Sequence, residues 1–276
     1  MNNDMKYGIV GATGKTGRRV AARLESTGRS VRRLSRGSTP SFDWNEPEAW
    51  PAALAGLDRV YVTYVPDLAV AGSAAAIERL AGIASAAGVS RIVLLSGRGE
   101  DGARSAEDIV LASNVDCTIV RASWFSQNFT EGMLADSVSA GFVAIPAGDR
   151  LEPFVDIDDI ADVAVEALTG DGHSGRIYEV TGPELLGFAD VAALLSEATG
   201  HPVVYLPLSF DEFHAAMTAE ADGATADLLT ELCREVFDGR NETLTNGVQD
   251  ALGREPRSLR AVIAESQLAE RQTVAS

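Results

Sequence analysis

Apolar residues fall along the first half of the chain in two alternating rhythms. Lys6–Val10, Ser30–Ser35, Arg59–Tyr64, Arg91–Ser96 and Cys117–Arg121 are short runs of strand length. Between them, apolar positions recur at helical spacing. Lys15–Ser26 carries Val20 and Leu24 one turn apart and stops at Gly28, and Leu68–Ala87 sets Ile77, Leu80 and Ala84 on one face before Gly88. RIVLLS, at Arg91–Ser96, reads as a buried strand. Strand, helix, strand in this repetition predicts an α/β fold, a doubly wound parallel sheet with helices on both faces.

Beyond about residue 123 the rhythm loosens. Short strands near Val143–Ile145, Val155 and Ile177–Val180 mix with helices at Ile157–Leu168 and Phe188–Thr199. From Phe210 onward the pattern is nearly all helical, with Leu228, Leu229, Leu232 and Val236 at helix spacing, and the tail after about Leu268 frays. The expected division is a core over residues 1–123, with later returns near 154–181, and a smaller, mostly helical lobe over 124–276, interleaved with it. Doubly wound folds bind ligands at the carboxyl edge of the sheet, so that lobe is expected to close there over a substrate.

Composition narrows the function classes. With 46% hydrophobic residues in 276, the chain can bury a sizeable core. A net charge of −17 without a basic patch disfavours nucleic acid and anionic membrane as partners. No apolar run approaches the ~20 residues needed to cross a bilayer, and MNNDMKYGIV lacks the build of a signal peptide, so the cytoplasm is the expected location. Cys117 and Cys233 lie in apolar-patterned segments and read as reduced, buried thiols. Asp156, Asp158 and Asp159 immediately precede an apolar helical pattern, which helix capping and the helix dipole explain better than a metal does.

Candidate chemistry begins at VGATGKTGRR, Val10–Arg19. Gly-Lys-Thr is the end of a triphosphate loop, G-x-x-x-x-G-K-[ST], but five residues before Gly14 stands Ile9 where that loop needs glycine. Gly11, Gly14 and Gly17 form G-x-x-G-x-x-G between a strand and a helix. The first allows a tight turn, the second the approach of a pyrophosphate, and the third close helix–strand packing. The helix start adds unpaired N–H groups and a partial positive charge. Gly11, Thr13, Gly14, Lys15, Thr16 and Gly17 are therefore expected to hold the diphosphate of a dinucleotide.

The end of the second strand selects the dinucleotide. NAD sites place an acid about 20 residues past the first glycine; here the segment is SVRRLSRGS, and no acid follows until Asp43. Arg36 is placed to meet the 2′-phosphate of NADP, with Ser35 or Ser38 and, less favourably, Arg33 as companions. NADP(H) is expected over NAD(H).

GATGKTG, SRGS at Ser35–Ser38, FDW at Phe42–Trp44 and VSRIVLLSG at Val89–Gly97 follow one another in an order that continues downstream. It runs on through RASWFSQNF at Arg121–Phe129, PFVDIDDIADVA at Pro153–Ala164 and TGPELLGF at Thr181–Phe188. In this order the motifs resemble the NmrA-like atypical short-chain dehydrogenases/reductases, in particular the festuclavine and agroclavine dehydrogenases of ergot-alkaloid chemistry, from about Met5 to Arg257. The resemblance implies a Rossmann-type core with a small substrate lobe, NADP(H) binding, and reduction of a C=N or related double bond. It further implies Asp43 and Trp44 near the adenine, the turn Tyr64–Pro66 along the cofactor, and Ser96 by the nicotinamide. Trp124, Phe125 and Asn128 would lie over the nicotinamide and the substrate.

Ordinary short-chain dehydrogenases carry a Tyr-x-x-x-Lys pair that protonates the nascent alkoxide. Four residues after Tyr7, Tyr61, Tyr64, Tyr178 and Tyr205 stand Gly11, Val65, Leu68, Gly182 and Ser209, and Lys6 and Lys15 are the only lysines. Ketone reduction needs such a donor. Hydride addition to an iminium does not, and an enone or quinone can delocalise its charge until water protonates it. The sequence thus fits hydride delivery to an activated acceptor, catalysed mostly by orientation. His173, His201 and His214 sit in no motif and read as surface or satisfied residues. Cofactor-sensing NmrA-like regulators, which turn nothing over, share the missing acid and remain the alternative.

Overall fold

The computed structural model describes residues 5–132 and 134–266; the tail beyond Leu268 lies outside the described residues. In chain order the elements run β1 (Lys6–Val10), α1 (Lys15–Ser26), β2 (Ser30–Leu34), α2 (Trp50–Leu54), β3 (Arg59–Val62), α3 (Ser73–Ala86), β4 (Arg91–Gly97), α4 (Asp101–Leu111) and β5 (Asp116–Ala122). There follow α5 (Ala135–Ser139), β6 (Phe142–Ile145), β7 (Leu151–Glu152), α6 (Ile157–Thr169), β8 (Ile177–Val180), β9 (Leu186–Gly187) and α7 (Phe188–Thr199). The last are β10 (Val204–Pro207), α8 (Phe210–Glu220), α9 (Gly223–Val236), α10 (Gly247–Leu252) and α11 (Leu259–Glu265).

The chain forms two compact units. The first comprises Met1–Ala122, Ile157–Val180 and Asn246–Arg254. Its six strands lie in the order β2-β1-β3-β4-β5-β8, each parallel to its neighbours, as the alternating rhythm predicts. Successive strand residues point to opposite faces, and both faces are covered. Val10, Val62, Ile92, Leu94 and Ile119 pack with Trp50, Leu54, Ile77, Leu80 and Ala106 of α2, α3 and α4 in one apolar core. Ile9, Tyr61 and Val93, one residue out of phase, are fully buried with α1 and α6, which pack against each other. A sheet covered on both sides explains why β4 reads as an unbroken apolar run.

Two elements are shorter than their patterns suggest. The third helix starts at Ser73 rather than Leu68, because Gly72 adopts the left-handed conformation at φ 91° and Asp67 Oδ1 accepts the Ala69 N–H at 2.8 Å in a local turn. β3 ends at Val62, where the Thr63 hydroxyl turns to donate to the Val10 carbonyl at 3.2 Å.

The acidic run is engaged by arginines. Within the first unit Asp158 Oδ1 pairs with Arg23 Nη2 at 2.5 Å and Arg19 Nε at 3.3 Å, and Asp159 with Arg254 Nη1 at 2.7 Å. These contacts join α1 and the stretch after α10 to the first turn of α6.

The second unit comprises Ser123–Asp156, Thr181–Thr245 and Glu255–Ser276. Its strands form two pairs, β6 with β10 in parallel and β7 with β9 antiparallel. Its core mixes aliphatic side chains with a cluster of aromatic rings. Phe188, at the start of α7, meets Phe154 and Phe237 edge-on at 5.3 and 5.4 Å between ring centroids and stacks on Tyr205 at 5.9 Å. Helix starts are specified locally: Ser209 and Glu212 form a reciprocal capping box at α8, and Asp222 accepts the Thr225 N–H at α9.

Candidate functional site

The glycine loop lies between β1 and α1 in the first unit, and space dictates Gly11 and Gly17. Gly11 has φ 79°, and a Cβ there would fall 2.0 Å from Thr63 Oγ1. A Cβ on Gly17 would fall 2.3 Å from the Gly11 carbonyl oxygen. Between them Gly14, extended and exposed, stands at the N-cap of α1 and donates its own N–H to Gly11 at 2.9 Å. No side chain caps this helix and no acid sits in its first turn, so no carboxylate competes for the positive end of the dipole. Thr13 is exposed, Lys15 half-buried and Thr16 buried. This bare-backbone cradle fits a diphosphate.

At the end of β2 the arginines separate by role. Arg32 donates to the carbonyls of Ala53 and Ala55 at 2.9 and 2.8 Å, and Arg33 grips both carboxylate oxygens of Glu25 at 2.8 and 2.7 Å. The Glu25 bond raises the Arg33 pKa and lowers that of Glu25. Arg36 is exposed and bonds to no described residue. The Ser38 hydroxyl is tied into its own turn, accepting from Ser35 N at 3.0 Å and donating to the carbonyls of Ser35 and Pro40.

Phe42 N bonds to Ser35 O at 2.9 Å, which brings the FDW segment beside the end of β2. Asp43 Oδ1 accepts Asn45 N at 2.9 Å, and its carbonyl accepts the Trp50 indole N–H at 2.7 Å, so Asp43 shapes the turn. Trp44 is half-buried, its ring 4.6 Å from that of Tyr64 and edge-on to Phe42 and Trp50. Arg36, Trp44, Tyr64 and the exposed Pro66 thus follow the ends of neighbouring strands.

Ser96, on β4, is buried and donates its hydroxyl proton to Glu107 Oε1 at 2.5 Å. Sequence reasoning missed Glu107, which rides on α4 among alanines, and the partners of Arg121. Arg121 binds both oxygens of Glu107 and reaches Glu179 Oε1 at 2.5 Å, while Arg98 Nε lies 3.3 Å from Glu179 Oε2. Burial alone would raise the Glu179 carboxyl, but the Arg121 hydrogen bond and the charges of Arg121 and Arg98 hold it below its ordinary value. The hydrogen bond to Glu107 raises the pKa of Arg121 against its own burial.

Trp124, Phe125 and Asn128 belong to the second unit. Trp124 stacks on Phe237 at 5.2 Å and meets Phe188 edge-on at 6.0 Å. Its indole N–H is buried without a hydrogen-bond partner, as are the hydroxyls of Ser123 and Ser126. Phe125 bridges to Val155, and Asn128 N closes a 3₁₀ turn on Phe125 O at 3.0 Å. Gln127 Nε2 donates to the buried Asp156 at 2.6 Å, which Arg257 Nε also meets at 3.2 Å. Among the described residues no cluster of His, Cys, Asp and Glu could hold a metal ion, and no helix is long and apolar enough to cross a membrane.

A parallel sheet whose first turn is a glycine cradle at an acid-free helix start places the chain among the NAD(P)-binding Rossmann-type proteins. No protein-family model matches it. It is 33% identical over 249 residues to an NAD(P)H azoreductase of Xenophilus azovorans, across 81% of this chain and 85% of that one. It is 29% identical to the agroclavine dehydrogenase of Claviceps fusiformis, across 94% and 96% of the two. In fold it matches the Citrobacter sp. triphenylmethane reductase complexed with NADP(H) at a TM-score of 0.76 and 21% identity, covering 95% and 100%. The chain belongs to the NmrA-like atypical short-chain dehydrogenase/reductase family, whose enzymes are NAD(P)H-dependent oxidoreductases.

Proposed function

We propose that this chain is an NADPH-dependent reductase that delivers hydride to an activated double bond of a small molecule, an iminium, an enone or a quinone-like acceptor. The observation that carries the reading is the cradle of Gly11, Gly14 and Gly17 at the uncapped start of α1. Arg36 supports the choice of NADPH, because Arg32 and Arg33 are already committed within the protein and Arg36 is not. In this reading the loop backbone and Thr13, Lys15 and Thr16 hold the diphosphate, Arg36 pairs with the 2′-phosphate, and Trp44 with Tyr64 flanks the adenine half.

Bound NADPH supplies the hydride. The protein supplies orientation and a dry environment, with Ser96 at the nicotinamide end. Trp124, Phe125 and Asn128 are assigned to acceptor binding on the family resemblance of RASWFSQNF. With no Tyr-x-x-x-Lys pair in the chain, the acceptor has to be electrophilic before it arrives.

The test is a calorimetric titration with NADPH, NADP⁺, NADH and NAD⁺, followed by NADPH oxidation in the presence of iminium, enone and quinone acceptors. Tight NADPH binding with turnover of one acceptor class is the expected result. Tight binding with no hydride transfer to any of them overturns the reductase reading in favour of a cofactor sensor.

A further inference from the structure

Three neighbouring parallel strands of the first unit end in a row of polar side chains. The register pairs Ser96 of β4 with Arg121 of β5, and Arg121 with Glu179 of β8, so all three share one face of the sheet. Glu107 closes the row from α4 and is 2% exposed; Ser96 is 4% exposed. The row contains two carboxylates, Glu107 and Glu179, and two guanidiniums, Arg121 and Arg98. Burying the charges of Glu107, Arg121 and Arg98 contributes little to stability, so a network of this kind is better understood as a device that fixes geometry.

What it fixes is the polarity of Ser96. A serine hydroxyl has one proton and two acceptor lone pairs. Here the proton lies on the 2.5 Å bond to Glu107, whose two oxygens are both engaged by Arg121. Glu107 accepts from both neighbours and returns no proton. We propose that Glu107 and Arg121 act as positioning residues that lock Ser96 as a hydrogen-bond acceptor for a neutral donor in the nicotinamide half of the cofactor, a carboxamide N–H or a ribose O–H. The assignment rests on the NADPH reading above and on the place of Ser96 at the carboxyl end of β4, the edge at which doubly wound sheets bind ligands. It also removes Ser96 from the list of proton donors to the substrate.

The test compares Kd values for NADPH and for its 3-acetylpyridine analogue, which lacks the amide N–H, in wild type, Ser96→Ala and Ser96→Thr. If the carboxamide is the donor, wild type prefers NADPH by ~3- to 10-fold, Ser96→Ala loses the preference, and Ser96→Thr keeps it. If the ribose is the donor, Ser96→Ala weakens both nucleotides alike by that factor and Ser96→Thr restores both. Glu107→Gln, whose amide oxygen still accepts the Ser96 proton, should keep the wild-type pattern, whereas Glu107→Leu, which removes that acceptor and lets the hydroxyl rotate, should lose part of the preference for the natural cofactor. Wild-type affinities in Ser96→Ala for both nucleotides overturn the assignment alone. Failure of wild type to bind any nicotinamide dinucleotide overturns the NADPH reading and this assignment together.

Discussion

Arg33 holds Glu25 through two parallel hydrogen bonds of 2.8 and 2.7 Å, tying the end of β2 back to α1. A two-point arginine–carboxylate pair leaves that guanidinium little to offer a ligand. In the proposed function the cationic role at the end of β2 therefore belongs to Arg36. Arg36→Glu should weaken NADPH by ~10- to 100-fold, the scale of one lost charge-assisted hydrogen bond, while NADH changes far less. Arg33→Ala should leave the NADPH to NADH ratio unchanged. Equal losses for both cofactors in Arg36→Glu, by calorimetry, would remove Arg36 from the 2′-phosphate site.

Gly17 faces the Gly11 carbonyl so closely that an added Cβ would sit 2.3 Å from its oxygen and 2.8 Å from its carbon. Both atoms are backbone and have no side-chain freedom to yield. Gly17→Ala should therefore lower stability by about 1–3 kcal/mol, read as a lower urea midpoint, and weaken NADPH as α1 is pushed off the loop. Gly37→Ala, with nothing within 4 Å of its Cβ position, is the control and should leave the midpoint unchanged.

Acid should destabilise the first unit through named carboxylates. Glu179 is held below its ordinary 4.5, and Asp158 below its ordinary 3.8 against the opposing effect of burial, by Arg23 and Arg19. A carboxylate with a depressed folded pKa stabilises the protein above its unfolded value, and that contribution disappears as pH falls through the folded one. Tm should thus be flat from pH 7 to about pH 5 and fall steeply below it. Glu179→Gln should have a lower Tm at pH 7 and a shallower acid limb. An acid limb as steep as that of wild type would show that Glu179 does not contribute to it.

Burial pushes both thiols, Cys117 and Cys233, up to about 12. A thiolate is the reactive form, so the native protein should be nearly inert to a thiol-reactive disulfide dye at pH 8 and should titrate both cysteines once unfolded in urea. Fast reaction of either thiol in the native state would contradict its burial.

Much of the first unit was legible because its signals are local. The apolar runs of β1, β4 and β5, the glycine spacing of the loop, and the stops at Gly28 and Gly88 are properties of a few adjacent residues. The boundaries at Ser73 and Val62 were not, since they depend on a left-handed Gly72 and on a Thr63 hydroxyl that finds Val10, 53 residues away. α4 was missed for a similar reason: its buried positions, Ala103, Ala106, Glu107 and Val110, are mostly small or charged, so its apolar stripe is faint.

By itself the sequence determined the alternation of strand and helix, the glycine loop between β1 and α1, the absence of an acid at the end of β2, and the absence of a Tyr-x-x-x-Lys pair. Tertiary structure alone decided which arginine near β2 is left for a ligand, because Glu25 and the Ala53 and Ala55 carbonyls claim the others from across the fold. It also decided that Ser96 meets Glu107 and that Trp124 stacks on Phe237, 113 residues further along the chain. Periodicity and turn chemistry act between neighbours in the chain, whereas hydrogen-bond partners are assigned by strand register and helix packing, which only the assembled core fixes.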